Sequence, residues 1–204
     1  HGNLGYALMM QGNTGEAIGW YERAVGLDPN RSDIRTNYGL ALLADGRTDE
    51  SERQLRKAVS LDPEDADAHC NLGQVLLDRS LIEEAFPHFR KAVDIRPGYA
   101  EALFGLGSVC DSRNDAENAA RYYAEAIRAK PDYARAYNNL GVLYQRLGRP
   151  VEAEQQFAAA VQSDPLFAEA RYNLGIACQA SGRINEAAGH YRIAVRLNPG
   201  FAEA

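Results

Sequence analysis

The chain has 204 residues, 46% of them hydrophobic and 25% charged, a balance ordinary for a soluble protein of one or two domains. A formal net charge of −6 speaks against nucleic acid as the main partner, because phosphate binding calls for clustered Lys and Arg. No apolar run approaches the ~20 residues that span a bilayer, and the opening "HGNLGYALMM" lacks the basic start and small-residue cleavage site of a signal peptide.

In chain order, one phrase keeps returning: "NLGYALMMQG" at 3, "NYGLALLADG" at 37, "NLGQVLLDRS" at 71, "GLGSVCDSRN" at 105, "NLGVLYQRLG" at 139 and "NLGIACQASG" at 173. The start points differ by 34 each time, and the prolines keep the same register at Pro29, Pro63, Pro97, Pro131, Pro165 and Pro199. Such fixed self-similarity marks a repeat solenoid, in which each unit buries its apolar face only against its neighbours. The units run over residues 1–31, 32–65, 66–99, 100–133, 134–167 and 168–201, as a single array over 1–204, with the start of a seventh pair at 202–204.

Each unit reads as two helices. In the third, "ADAHCNLGQVLLDR" and "EEAFPHFRKAVDIR" place Leu72, Val75 and Leu76, then Phe86, Phe89 and Val93, at the three-and-four spacing of an amphipathic helix. Gly12, Gly46, Gly148 and Gly182 suit a left-handed cap after the first helix, with Ser80 and Asn114 as stand-ins. The second helix stops before proline, which cannot continue the hydrogen-bond ladder. Gly5, Gly39, Gly73, Gly107, Gly141 and Gly175 fall within first helices, where glycine costs about 1 kcal/mol relative to alanine. Close approach to the small residues of the second helix (Ala17, Ser51, Ala85, Ala119, Ala153, Ala187) is the expected reason, with Tyr21, Leu55, Phe89, Tyr123, Phe157 and Tyr191 filling the flank. Pro87, a turn inside a second helix, is expected to bend it locally.

N-L-G-x-x-L near the front, A-x-x-x-[YF]-x-x-A in the second helix and D-P at the end together resemble the tetratricopeptide repeat, over the whole chain. The resemblance implies an all-α, right-handed superhelical solenoid of helix-turn-helix repeats, its concave wall lined by first helices. His69 and Arg171 stand where that family often has Trp or Tyr.

Nothing in the sequence carries catalysis. His1, His69, His88 and His190 show no metal-binding spacing, and His88 and His190 are expected at the solvated surface. Cys70, Cys110 and Cys178 read as small buried hydrophobes in a reducing, cytoplasmic compartment. GxSxG and GxxxxGK[ST] are absent, so neither catalytic residue nor cofactor nor metal is expected.

By the resemblance, Asn3, Asn37, Asn71, Asn139 and Asn173 face the inner groove, with Gly105 interrupting the row. An asparagine offers one amide donor group and one carbonyl acceptor, matching a peptide unit. Helices pack about 8–10 Å apart while an extended chain rises about 3.3 Å per residue, so each asparagine meets roughly every third residue of a threaded strand. The row resembles the ladder in the repeat region of the O-linked N-acetylglucosamine transferases. Asp33, Asp67, Glu101, Asp78 and Asp111, with Thr36, Cys70, Gln74, Phe104 and Ser108 between them, make an acidic middle expected to favour Lys or Arg in a ligand. Arg135, Asn138, Gln145 and Arg146 make the fifth unit locally basic, followed by Tyr172 and Gln179. The lysine clamp by which some of these repeats hold acidic chaperone tails is missing, its places being held by Thr36, Leu40, Asn71, Glu101 and Gly105.

The expected function is thus a non-catalytic scaffold for an extended peptide or partner segment. The alternatives are a substrate-recruiting arm of a larger enzyme such as a glycosyltransferase, or a unit assembling end to end. Starting at His1 partway through a helix and lacking a polar capping helix, the chain reads as a piece of a longer one, its end faces near Leu4, Leu8, Ile18, Tyr191, Ile193 and Leu197 open to stacking.

Overall fold

A computed structural model describes residues 2–202; His1 and residues 203–204, with most of the expected start of a seventh pair, lie outside them. Among the described residues the chain is all α, with twelve α-helices, a 3-10 turn at Pro199–Ala202 and no strand. No described helix is long and apolar enough to cross a membrane. The chain divides into two compact units, His1–Val109 and Cys110–Ala204.

The first unit holds α1 (Gly2–Met10), α2 (Thr14–Leu27), α3 (Ser32–Ala44), α4 (Thr48–Leu61), α5 (Ala66–Asp78) and α6 (Ile82–Ile95), and the boundary falls inside α7 (Ala100–Ser112). The second holds α8 (Ala116–Ala129), α9 (Ala134–Arg146), α10 (Pro150–Ser163), α11 (Ala168–Ala180) and α12 (Ile184–Leu197). Within each unit a first helix packs on its own second helix, on the second helix before it and on the preceding first helix, as α5 does on α6, α4 and α3, and α11 on α12, α10 and α9. α6 runs unbroken through Pro87.

The turns follow the expected chemistry. Gly12, Gly46, Gly148 and Gly182 have φ between 71° and 80°, and Ser80 and Asn114 take the same left-handed conformation at 61° and 58°. Two backbone bonds close each turn: in the second repeat Gly46 N–H donates to the Leu43 carbonyl at 3.0 Å and Arg47 N–H to that of Leu42 at 2.8 Å. Carbonyls left over at a helix end are thereby satisfied.

The mid-helix glycines are explained by rings rather than by the small residues opposite. A Cβ on Gly5 would lie 2.9 Å from the Tyr21 ring, one on Gly73 3.0 Å from Phe89, and one on Gly141 and on Gly175 2.6 Å from Phe157 and Tyr191. In the second repeat Leu55 takes the ring's place, 2.7 Å from where a Gly39 Cβ would lie, and Ser51, standing for alanine, donates to the Gly39 carbonyl at 2.7 Å. Tyr21, Leu55, Phe89 and Phe157 are at most 1% exposed.

Histidine placement differs from expectation. His88 is half-buried, with its Nδ1 3.0 Å from Nδ1 of the buried His69, and the buried Nδ1 of His190 has no partner among the described residues. The other nitrogen of His69, Nε2, lies 3.2 Å from the Pro63 carbonyl, which can only accept, so in the neutral pair His69 Nδ1 accepts from His88. Arg35 does the same work in the second repeat, donating to the Pro29 carbonyl at 2.8 Å and to Gln54 at 2.6 Å, and Arg171 donates to the Pro165 carbonyl at 2.7 Å. A polar strap therefore replaces the aromatic residue common at this position.

Two predictions follow from this packing. Gly141→Ala puts a methyl group against a buried ring and 3.2 Å from the Ala153 carbonyl, so the urea midpoint should fall, corresponding to about 1–3 kcal/mol. Gly19→Ala, in mid-helix α2 with nothing within 4 Å, should raise it by about 0.4–1 kcal/mol. The second concerns pH. Burial, and then His69, push His88 down to about 4, and burial also lowers His69; Arg56 and Lys91 add to this while Glu84, Asp65 and Glu64 oppose it. The unfolded chain takes up these protons first, from its ordinary 6.5 downward, so stability is full above that pH and lost as pH falls towards 4. The urea midpoint should drop less steeply over that range in His88→Gln, which carries the side chain found at Gln54.

Candidate functional site

Register decides which first-helix residues reach the surface. Asn37, Asn71, Asn139 and Asn173 are half-buried and Asn3 is exposed. The side-chain amides of Asn37, Asn71 and Asn139 make no hydrogen bond among the described residues, and none of their polar atoms is sealed from solvent. Gly105 interrupts the row for a packing reason, since a Cβ there would lie 2.3 Å from the Phe89 ring of the preceding repeat.

In the first unit the row lines a continuous depression. A concavity of about 640 Å³ is walled by Ser32, Asp33, Thr36, Asn37, Leu40, Asp67, Asn71, Arg96 and Tyr99, among others. It adjoins one of about 470 Å³ that brings Asn3 and Tyr6 together with the shared Asp33 and Asn37. A depression of about 700 Å³ at the turn edge, lined by Gly46–Glu50, Arg53, Asp78 and Arg79, has its charges tied up internally by Arg47–Glu50 and Arg79–Asp49 pairs.

The neighbouring register lies mostly beneath this surface, Thr36 alone among the residues named next still edging the concavity of about 640 Å³. Thr36, Cys70, Phe104 and Asn138, expected in the groove, are 5%, 5%, 4% and 0% exposed. At two of the equivalent positions the aromatic residue that ends the repeat lies over it: Phe201 stacks on Tyr172 at 5.0 Å, and Tyr99 lies against Cys70, whose thiol burial pushes up to about 12. Phe104 and Asn138 are therefore interior residues and present no groove surface. Asn138 is satisfied within the scaffold, its Nδ2 donating to Glu169 Oε1 at 3.0 Å and its Oδ1 accepting from Asn173 Nδ2 at 2.9 Å.

The acids are not a free negative trough. Arg31 grips Asp33 through two bonds of 2.8 and 2.6 Å and holds its carboxyl below the usual range. Arg96 does the same to Asp67 with two bonds of 2.9 Å, and Tyr99 adds a third at 2.7 Å. Gln74 donates to Asp78 at 2.6 Å, and Arg146 pairs with Asp111, cancelling part of the basic character expected of the fifth repeat. Glu101 and Arg135 are exposed and Tyr172 half-buried. Glu169 escaped the sequence reading, although the 34-residue period assigns it to the same register as Asp33, Asp67, Glu101 and Arg135. Among the described residues no group of three or more His, Cys, Asp or Glu is placed to hold a metal ion.

No curated protein matches this chain in sequence. Solved structures similar to it include MamA, 25% identical with a TM-score of 0.65, over 84% of this chain and 94% of that one. YrrB, described as a TPR protein with an unusual peptide-binding site, is 23% identical with a TM-score of 0.63, over 88% and 92%. PilF of Pseudomonas aeruginosa is 20% identical with a TM-score of 0.84, over 98% and 90%. The tetratricopeptide repeat pattern itself matches residues 1–31, 38–100, 96–134, 104–165 and 138–201. With paired helices, glycine-seated rings and left-handed turns recurring in step with that pattern, the chain belongs to the tetratricopeptide repeat family.

Proposed function

We propose that this chain is a non-catalytic scaffold that binds an extended peptide or partner segment along its row of asparagines. The observation that carries the reading is the state of Asn37, Asn71 and Asn139: one register on three first helices, amides solvent-accessible and without a partner in the scaffold. Asparagine is a weaker helix former than alanine, so such a row costs helix stability without any internal bond to offset it. Capture of backbone units by these amides gives it a use, and the peptide-binding site named for YrrB supports the same use here. Three unpaired, buried cysteines suit a reducing cytoplasmic setting.

A second reading, end-to-end self-association, draws on one comparison. Leu4 is 44% exposed, whereas Tyr38, Leu72, Leu106, Leu140 and Leu174 in the same register are at most 7% exposed. A second copy presenting α12 against this leucine would bury it.

The peptide reading is tested with a randomised twelve-residue peptide pool, the bound fraction measured on wild type and on Asn37→Ala/Asn71→Ala. Each lost bond is worth about 0.5–1.5 kcal/mol, so pool affinity should fall about tenfold, with the urea midpoint unchanged or raised. Equal binding by the variant sinks the reading. For self-association, light scattering should show mass rising with concentration and Leu4→Glu abolishing the rise; a constant monomer mass rejects it.

A further inference from the structure

We propose that the first turn of α11 carries a cation subsite of this binding surface, formed by Glu169 and Asn173 on the buried Asn138, which selects an extended segment bearing a Lys or Arg side chain. The inference rests on the asparagine row being a peptide-binding surface, and it concerns residues 110–204 alone.

Glu169 differs from its register mates in what holds it. Asp33 and Asp67 are each claimed by an arginine. Glu169 is exposed, and its partner among the described residues is the neutral amide of Asn138. The nearest arginine in sequence, Arg171, donates to the Pro165 carbonyl. A carboxylate at a helix start also complements the helix dipole, but that role needs no bond to another repeat.

Asn138 is the independent observation. It is fully buried in a register whose other members are Thr36, Cys70, Phe104 and Tyr172, so an amide there is a costly choice unless its polar atoms are met. It meets them by fixing two surface groups at once, the carboxylate of Glu169 and the amide of Asn173. Glu169 Oε2, the Asn173 carbonyl and the second Asn173 N–H are left to a ligand. One turn along from Asn139 and Asn173, Val142 is 37% exposed and Ile176 half-buried. These apolar residues lie one turn beyond the asparagines, so the long stem of Lys or Arg can rest on them while its charged head reaches back past Asn173 to the held carboxylate.

The test uses the full 204-residue chain and labelled ten-residue peptides of Ala, Thr and Gly with a single central Lys, norleucine or Glu. Fluorescence anisotropy should give at least tenfold tighter binding for the Lys peptide than for norleucine, with Glu weakest, and a preference that shrinks as salt rises. Glu169→Gln should erase the preference, bringing Lys-peptide affinity down to that of the norleucine peptide. Asn138→Thr, which copies Thr36, should reduce the preference with Glu169 intact, and a near-native urea midpoint confirms that it folds. Equal Lys and norleucine affinities, or a preference that survives Glu169→Gln, overturns the subsite and leaves the peptide reading standing. Binding of none of the peptides overturns both.

Discussion

Four of the repeats depend on an aromatic edge lying against bare backbone. The ring of Phe157 comes so near the Gly141 Cα that even one methyl group would intrude, and Tyr21, Phe89 and Tyr191 stand in the same relation to Gly5, Gly73 and Gly175. Glycine's helix penalty of about 1 kcal/mol is small beside the burial of a whole aromatic side chain, worth about 1.5–3 kcal/mol, and so the pair persists. The second repeat tests the rule from the other side. Its Leu55 is smaller than a ring, and there Ser51 anchors the Gly39 carbonyl directly. The contact is kept by a smaller side chain, and a second one of different chemistry joins the same two helices.

This constraint made most of the fold legible from sequence. A period of 34 fixes the pairs, the prolines fix where second helices stop, and the left-handed turn is readable even where Ser80 or Asn114 replaces glycine. What could not be read was the neighbour on the third side. Phe104 and Asn138 looked like groove residues because helical periodicity distinguishes one face from another only within a helix. At Tyr172 and Cys70, in the same register, the neighbour is the aromatic residue that ends the repeat, Phe201 and Tyr99. Tyr99, Tyr133, Phe167 and Phe201 recur at the same period, so the signal existed in the sequence. Charge was misjudged for a similar reason. Asp67 counts as an acid in the sequence, but Arg96, 29 residues on, neutralises it in the fold. The His69–His88 bond joins two helices across 19 residues in the same way.

The break in the asparagine row shows how little room separates scaffold from surface. Phe89 rests against Gly73 of its own repeat and leans on Gly105 of the next. A side chain at 105 would have to displace a ring that is fully buried, so that repeat gives up its amide to keep its core. Surface chemistry in this row is present only where the ring beneath leaves space for a Cβ.

Adjacent registers of the first helix therefore divide the labour. One is mostly buried and answers to packing, as at Thr36, Cys70, Phe104 and Asn138; the next, the asparagine row, meets solvent. Asn138 crosses that division. It occupies a packing position, yet its two hydrogen bonds go to Glu169 and Asn173 at the surface. Threonine, cysteine or phenylalanine fills the same place elsewhere, so the fold does not require an amide there. On the peptide-binding proposal, what the amide adds is restraint: Glu169 and Asn173 are held before a partner arrives, and part of the entropy of binding would be met when the chain folds. Asn138 is then a buried residue that serves the proposed surface through the two side chains it fixes, although no solvent reaches it.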